Sequence, residues 1–323
     1  LLVVGSRLGI RQVSYATETW ARESFVVQVY PDALEITKPN IHVELAVRAD
    51  LKEFCAALNE RIVVSMPILH EWFEICHRWK KQYPVVTKDR HYKESGSVNV
   101  YWFMNELIKV FPEDTPVVSA NGSACVVAGS ALKIKKGQSF IINSGCASMG
   151  YCLPASIGAC FANGKKLTIL LTGDGSIQMN LQELQTRVFH QLPIKIFLIN
   201  NQGYHSMRQT ESNLFSELTK IGIGPESGDL SFPCMENIAM AYGLPYMSAH
   251  DNAFLGDKIS DFMKQKGFGL FEIFVDTAQG YEPKPSTMKR EDGTLFSPPL
   301  EDLAPFMSRE ELRKIMLIPL VGE

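Results

Sequence analysis

From residue 98 onward the chain is punctuated by apolar runs that do not alternate with polar residues. They are "PVVSA" from Pro116, "SFIINS" from Ser139, "LTILLTG" from Leu167, "IKIFLIN" from Ile194, "PYMSA" from Pro245 and "LFEIFVD" from Leu270. Strands that are apolar on both sides are buried on both sides, so these runs predict a parallel sheet sandwiched by helices. Between the third and fourth runs, Ile177, Leu181, Leu184 and Val188 fall at i, i+4, i+7 and i+11. That spacing predicts one helix with a single apolar face laid on the sheet. Strand, helix and strand make a βαβ unit, whose right-handed crossover returns the second strand parallel to the first.

The pattern differs before residue 98. Residues 1–64 carry shorter β-rich runs, "LLVVGS", "FVVQVYP" and "LAVRA", and end in a helix with Leu51, Phe54, Cys55 and Leu58 on one face and Asp50 as N-cap. This is the pattern of part of a second α/β domain. Residues 65–97 combine a Trp-rich helical stretch, "ILHEWFEICHRWKKQ", with the polar "VVTKDRHYKESGS", and are expected to link the domains. Trp72, Phe73 and Trp79 in that stretch are costly to leave wet, so it is expected to be ordered. The main domain is expected over 98–281, opening on the helix "VNVYWFMNELIKVF", and 282–323 reads as a tail in which Ser308 and Glu311 form a capping box. The expected class is thus α/β, with a doubly wound, mostly parallel sheet and a partial second domain.

Composition narrows the partners. With 46% apolar residues and a formal charge of −3, the chain has no broad basic field, and neither nucleic acid nor a membrane surface is expected as partner. No apolar segment reaches the ~18 residues of a membrane span. Seven cysteines without a C-x-x-C pair read as reduced thiols, which predicts a cytoplasmic location. The chain opens directly on a strand without an initiator methionine, and is expected to be cut from something longer.

The candidate chemistry lies at the end of the βαβ strands. "LTILLTGDGS" stops at Asp174, set between Gly173 and Gly175, and "IKIFLINN" stops at Asn201. Both positions are carboxyl ends of parallel strands, the edge where ligands of open α/β sheets bind. A carboxylate, a carboxamide oxygen and a backbone carbonyl are hard ligands of the kind Mg²⁺ takes beside phosphate oxygens. The glycines let a ligand approach the backbone, and the N–H groups opening the next helix at Ser176 and Ile177 can receive an anion.

In these residues the sequence resembles the thiamine diphosphate enzymes, whose signature is GDG followed, after a little under thirty residues, by NN at the end of the next strand. Here it reads "GDGSIQMNLQELQTRVFHQLPIKIFLINN". The resemblance extends over nearly the whole chain to the acetolactate synthase-like branch of that family. It implies that Asp174, Asn201 and the carbonyl of Gly203 hold Mg²⁺. It also implies that "SANGSA", through Gly122 and Ser123, helps Gly173, Gly175 and Ser176 cradle the diphosphate, with Asn201 beside it. In "SGCASMGYCLPASIGA" it implies that the carbonyl of Ala147, where the family has glycine, receives the aminopyrimidine. It implies too that Met149 there is the apolar wedge that bends the cofactor so its amino group meets the reactive carbon.

The resemblance further implies a carboligase. A 2-oxo acid such as pyruvate loses carbon dioxide, and the two-carbon unit passes to an acceptor carbonyl. A simple 2-oxo acid decarboxylase and a catalytically silent regulatory paralogue are the alternatives. His205 is a candidate proton shuttle. Ser206 and Thr210 stand where acetolactate synthases have a methionine and a tryptophan, which suggests a more polar acceptor such as a keto sugar. In the first domain the resemblance leaves FAD open, with Tyr30 replacing a usual acidic residue. The glutamate that activates the cofactor in this family comes from an amino-terminal domain, which the resemblance leads one to expect upstream of Leu1. The 323 residues alone are therefore expected to be inactive, and the whole enzyme to be a homodimer or tetramer.

Overall fold

A computed structural model describes residues 1–62, 69–215, 220–289 and 292–321. The chain divides into two compact units: residues 1–83 with 282–323, and residues 84–281. The stretch 65–97 is thus shared. Its helix, His70–Gln82, goes with the first unit, and Pro84 onward goes with the second.

The first unit carries β1 (Leu2–Val4), β2 (Val27–Tyr30) and β3 (Leu45–Arg48), all parallel in the order β1-β2-β3. Val3, Leu8, Val13, Val26 and Ile41 form its small core. The helix Leu51–Arg61 starts where expected, because the Asp50 carboxylate accepts from the N–H groups of Lys52 and Glu53. The expected burial of the Trp-rich helix is not met. Trp72 is 44% and Phe73 56% exposed, and among the described residues Trp72 finds an aromatic partner only in Trp79, edge-on at 5.8 Å. The capping box at Ser308 is half made. Ser308 Oγ accepts from Glu311 N at 3.2 Å, whereas the Glu311 carboxylate takes the Tyr83 hydroxyl at 2.9 Å instead of turning back to the cap.

The second unit contains all six strands predicted from the apolar runs. They are β4 (Val117–Ser119), β5 (Phe140–Ile142), β6 (Thr168–Gly173), β7 (Ile194–Asn200), β8 (Tyr246–Ala249) and β9 (Gly269–Phe274), in the order β5-β4-β6-β7-β9-β8 and parallel throughout. β6 and β7 are buried along their length except at the last residue, as strands covered on both faces must be. Phe197 of β7 centres the core, with Phe103, Phe262 and Phe271 at ring distances of 5.9, 5.3 and 5.8 Å. Phe103 comes from the predicted helix Val100–Val110, capped by Asn99.

One element differs in a way that matters for the site. The helix expected after β6 is two helices, Asp174–Gln178 and Glu183–Phe189, separated by a turn. Ile177 and Leu184 are fully buried, so the apolar face persists across the break. The break lets Asn180 Nδ2 donate to the Gly150 carbonyl at 3.0 Å, while Gly150 N donates to Ser176 Oγ at 3.2 Å. The loop that carries Met149 is thereby tied to the turn after β6.

Candidate active site

β6 and β7 are neighbours in register, Gly173 opposite Ile199, so Asp174 and Asn201 leave the same edge of the sheet side by side. Asp174 is 2% exposed. Its Oδ1 accepts from Gly175 N at 2.8 Å and its Oδ2 from Gly203 N at 3.0 Å. Burial pushes its carboxyl up to about 7 against the pull of the backbone N–H groups of Gly175, Gly203 and Gln202 and the charge of Arg208. A carboxylate that costly to ionise calls for a cation.

Asn201 points the same way. It is 5% exposed, and its Nδ2 donates to Ser123 Oγ at 2.9 Å, which fixes the carboxamide orientation. Its Oδ1 is buried and finds no hydrogen-bond donor among the described residues. An orphaned acceptor of this kind is rare unless something outside the chain satisfies it. The two oxygens, one needing a counter-charge and the other a donor, fit a hard cation. Among the described residues no three His, Cys, Asp or Glu side chains gather as a metal cluster, and a site built on one carboxylate, one carboxamide and a backbone carbonyl is not of that type.

Backbone shape supports a close approach. Gly203 has φ +144, and a Cβ there would lie 2.1 Å from the Ile223 carbonyl. A Cβ on Gly175 would come within 2.4 Å of the Tyr204 ring. The Gly203 carbonyl accepts from His205 N at 3.1 Å and keeps its second lone pair.

A cavity of about 120 Å³ gathers these groups. Its lining includes Gly122, Ser123, Met149, Gly173, Asp174, Gly175, Ser176, Asn201, Gly203, His205 and Ser206. Ala147 and Thr210 are not in that wall. Thr210 is exposed, and its hydroxyl donates to the Ser206 carbonyl at 3.0 Å. The Ala147 carbonyl accepts from Asn121 Nδ2 at 3.1 Å. Ala147 itself has φ +51, so the turn does demand the left-handed region that glycine occupies freely. Ala147→Gly is therefore expected to stabilise the chain by about 1 kcal/mol, read from urea unfolding.

Several groups escaped the sequence. Asn121, Tyr204 and Met207 also line the cavity. Tyr281 shares a 2.9 Å hydrogen bond with Ser123 Oγ, and its ring meets that of His205 edge-on at 5.1 Å. Arg208 lies 3.3 Å from His205 Nδ1. A guanidinium only donates, so Nδ1 is the accepting nitrogen and Nε2 carries the ring proton. No periodicity or local motif signals these partners, which reach across up to 158 residues.

The site and sheet are those of a thiamine diphosphate-binding domain. Residues 120–273 match the family model of the thiamine pyrophosphate enzyme C-terminal TPP-binding domain. The chain is 30% identical over 288 residues to the acetolactate synthase large subunit of Cyanidium caldarium, covering 88% of this chain and 47% of that protein. It is 29% identical over 290 residues to the large subunit of Porphyra purpurea, with the same shares. To isozyme 1 of Escherichia coli K12 it is 24% identical over 283 residues, 88% of this chain and 48% of that protein. The chain belongs with the acetolactate synthase-like thiamine diphosphate enzymes, and it spans about half the length of the curated relatives it matches. Among the described residues no helix is long and apolar enough to cross a membrane.

Proposed function

We propose that the chain holds thiamine diphosphate through Mg²⁺ and serves an enzyme that decarboxylates a 2-oxo acid, pyruvate first among them, and passes the two-carbon unit to an acceptor carbonyl. One observation carries this: a buried carboxylate and an orphaned carboxamide oxygen stand at the ends of adjacent parallel strands. When bound, the cofactor supplies a thiazolium that stores the electron pair left by departing carbon dioxide.

The chain's own residues bind and orient. Asp174, Asn201 Oδ1 and the Gly203 carbonyl would hold the metal. Gly122, Ser123, Gly173, Gly175 and Ser176 surround the place for the diphosphate, with the helix Gly122–Ala131 presenting its N-terminus. The Ala147 carbonyl would take the aminopyrimidine amino group, and Met149, 38% exposed in the cavity wall, would bend the cofactor. His205 Nε2–H is the proton-bearing atom on that wall. Ser206 is a polar group of the cavity wall, which keeps a hydroxylated acceptor such as a keto sugar in the proposal. The Thr210 hydroxyl is engaged within its own helix. The working form is a homo-oligomer in the cytoplasm.

The test is product analysis on the full-length protein with thiamine diphosphate, Mg²⁺ and pyruvate, with and without a carbonyl-bearing sugar nucleotide. Carbon dioxide release and a new carbon–carbon bond to the acceptor are expected. Acetolactate as main product, untouched by the sugar carbonyl, would remove the sugar acceptor. Release of free aldehyde alone would make the protein a simple decarboxylase.

A further inference from the structure

The turn 201–203 carries two of the three groups proposed to hold the metal, and a buried arginine grips it from behind. Arg208 sits on the helix His205–Leu214 and is 5% exposed. Its Nη1 donates to the Asn201 carbonyl at 3.1 Å and its Nη2 to the Gln202 carbonyl at 3.0 Å. Its Nε donates to Glu226 Oε1 at 2.8 Å, in the turn Pro225–Ser227. The hydrogen bond from Arg208, ahead of its charge, holds the Glu226 carboxyl below the usual carboxylate range.

Two peptide planes are set by this grip. A trans peptide points its C=O and N–H in opposite directions. With the Gln202 carbonyl turned to Arg208, the Gly203 N–H of the same plane points the other way, where it meets Asp174 Oδ2 at 3.0 Å. With the Asn201 carbonyl turned to Arg208, the Gln202 N–H points the other way and meets Asn200 Oδ1 at 3.0 Å. Asn200 is fixed in turn by its Nδ2, which donates to the buried Glu272 carboxylate at 2.7 Å. The orientation of the Asp174 carboxylate is thus transmitted from the guanidinium through one peptide group.

We infer that Arg208 is a positioning residue for the metal: by holding the carbonyls of Asn201 and Gln202 it fixes the backbone that carries Asn201 and aims Asp174 at the ion without touching it. The inference rests on the metal-binding role proposed for Asp174 and Asn201. A second cation so near the ion opposes binding by Coulomb repulsion, but Glu226 neutralises the guanidinium, and positioning dominates. Lysine cannot substitute, since a single ammonium does not span two carbonyls and a carboxylate as the planar fork does.

The experiment uses the full-length protein with saturating thiamine diphosphate and Mn²⁺ in place of Mg²⁺, its binding followed by electron paramagnetic resonance. Loss of a group that orients a metal ligand weakens metal binding by roughly 10–100-fold. Arg208→Lys and Arg208→Ala are expected in that range, Arg208→Ala recovering when methylguanidinium is added. Glu226→Gln, which leaves the fork in place, is expected to weaken binding by only a few-fold. The unfolding midpoint of the metal-free variants controls for loss of fold. If Asp174→Ala loses Mn²⁺ while both Arg208 variants bind like wild type, or bind more tightly, the positioning role is overturned and the metal site stands. If metal loss in the Arg208 variants tracks a collapsed midpoint and methylguanidinium restores nothing, the role is structural and the inference fails. If Asp174→Ala binds Mn²⁺ as wild type does, the metal site itself is wrong and the inference falls with it.

Discussion

Asp174→Asn is expected to abolish metal-dependent binding of thiamine diphosphate and to flatten the pH dependence of stability in the metal-free protein. The Asp174 carboxyl rises from 3.8 to about 7 on folding because it is buried. A raised carboxyl holds its proton more tightly in the folded state. Its contribution to stability is fully present below about pH 3.8 and is lost as pH rises through about 7. The shift spans about 3 units at ~1.4 kcal/mol each, on the order of 4 kcal/mol in all, with about 2–3 kcal/mol of it falling between pH 5 and 8. Urea unfolding without metal at those two pH values should show that loss in wild type and not in the asparagine variant. A bound cation reverses the sign, since it needs the ionised carboxylate, so metal affinity in wild type should climb as pH rises through about 7. Calorimetry with Mg²⁺ and thiamine diphosphate checks the binding arm. Parallel pH curves for the two proteins, or an unchanged affinity in the variant, would remove Asp174 from the site.

A second large effect is expected far from the chemistry. Arg187→Met should stabilise the protein by about 2 kcal/mol, the range found when buried ionic groups give way to apolar ones of similar size. Arg187 is fully buried on the helix Glu183–Phe189. Its Nε donates to the Leu192 carbonyl at 3.0 Å, whereas Nη1 and Nη2 are buried and find no hydrogen-bond partner among the described residues. Burial holds its guanidinium down to about 9. Its charge also adds to the burial that holds Lys195 down to about 8. The guanidinium lies 3.1 Å from the centroid of the Phe268 ring, which returns some 0.5–2 kcal/mol and is why the expected gain is not larger. Since a depressed cation costs stability at every pH below its folded value, the gain should hold throughout the neutral range. Cofactor binding should not change, because Arg187 lies beside the start of β7 and Asn201 follows its end. A variant less stable than wild type would mean that the cation–aromatic contact outweighs the desolvation.

What could be read from the chain follows from the range of the interactions. The strands were legible because a run such as "IKIFLIN" needs no partner to declare burial on both faces. Asp174 and Asn201 were legible because each is fixed by the end of its own strand, and the crossover rule places the ends together. The break at 179–182 was hidden because its turn residues advance the chain enough like a helix to keep Ile177 and Leu184 on one face. Arg208 was hidden for a different reason. Its value lies in two backbone carbonyls and a glutamate 18 residues away, and carbonyls leave no mark in a sequence. The same holds for Tyr281 and Ser123, paired through side chains that each look ordinary in isolation. In the helix His70–Gln82, three aromatic residues signalled burial that the described residues do not supply.

The hydrogen bond from Asn121 to the Ala147 carbonyl changes what occupancy of that place means. On the proposed role of this carbonyl, an arriving amino group does not meet a bare acceptor; it shares an oxygen whose first lone pair an amide already holds. The second lone pair faces water before docking, so the amino group replaces one donor by another of similar strength and adds little net attraction. The contact serves discrimination instead, because a ring lacking an amino group at that point would shut water away from the second lone pair and return nothing. The diphosphate end would then supply the grip and the Ala147 turn the choice of what is gripped.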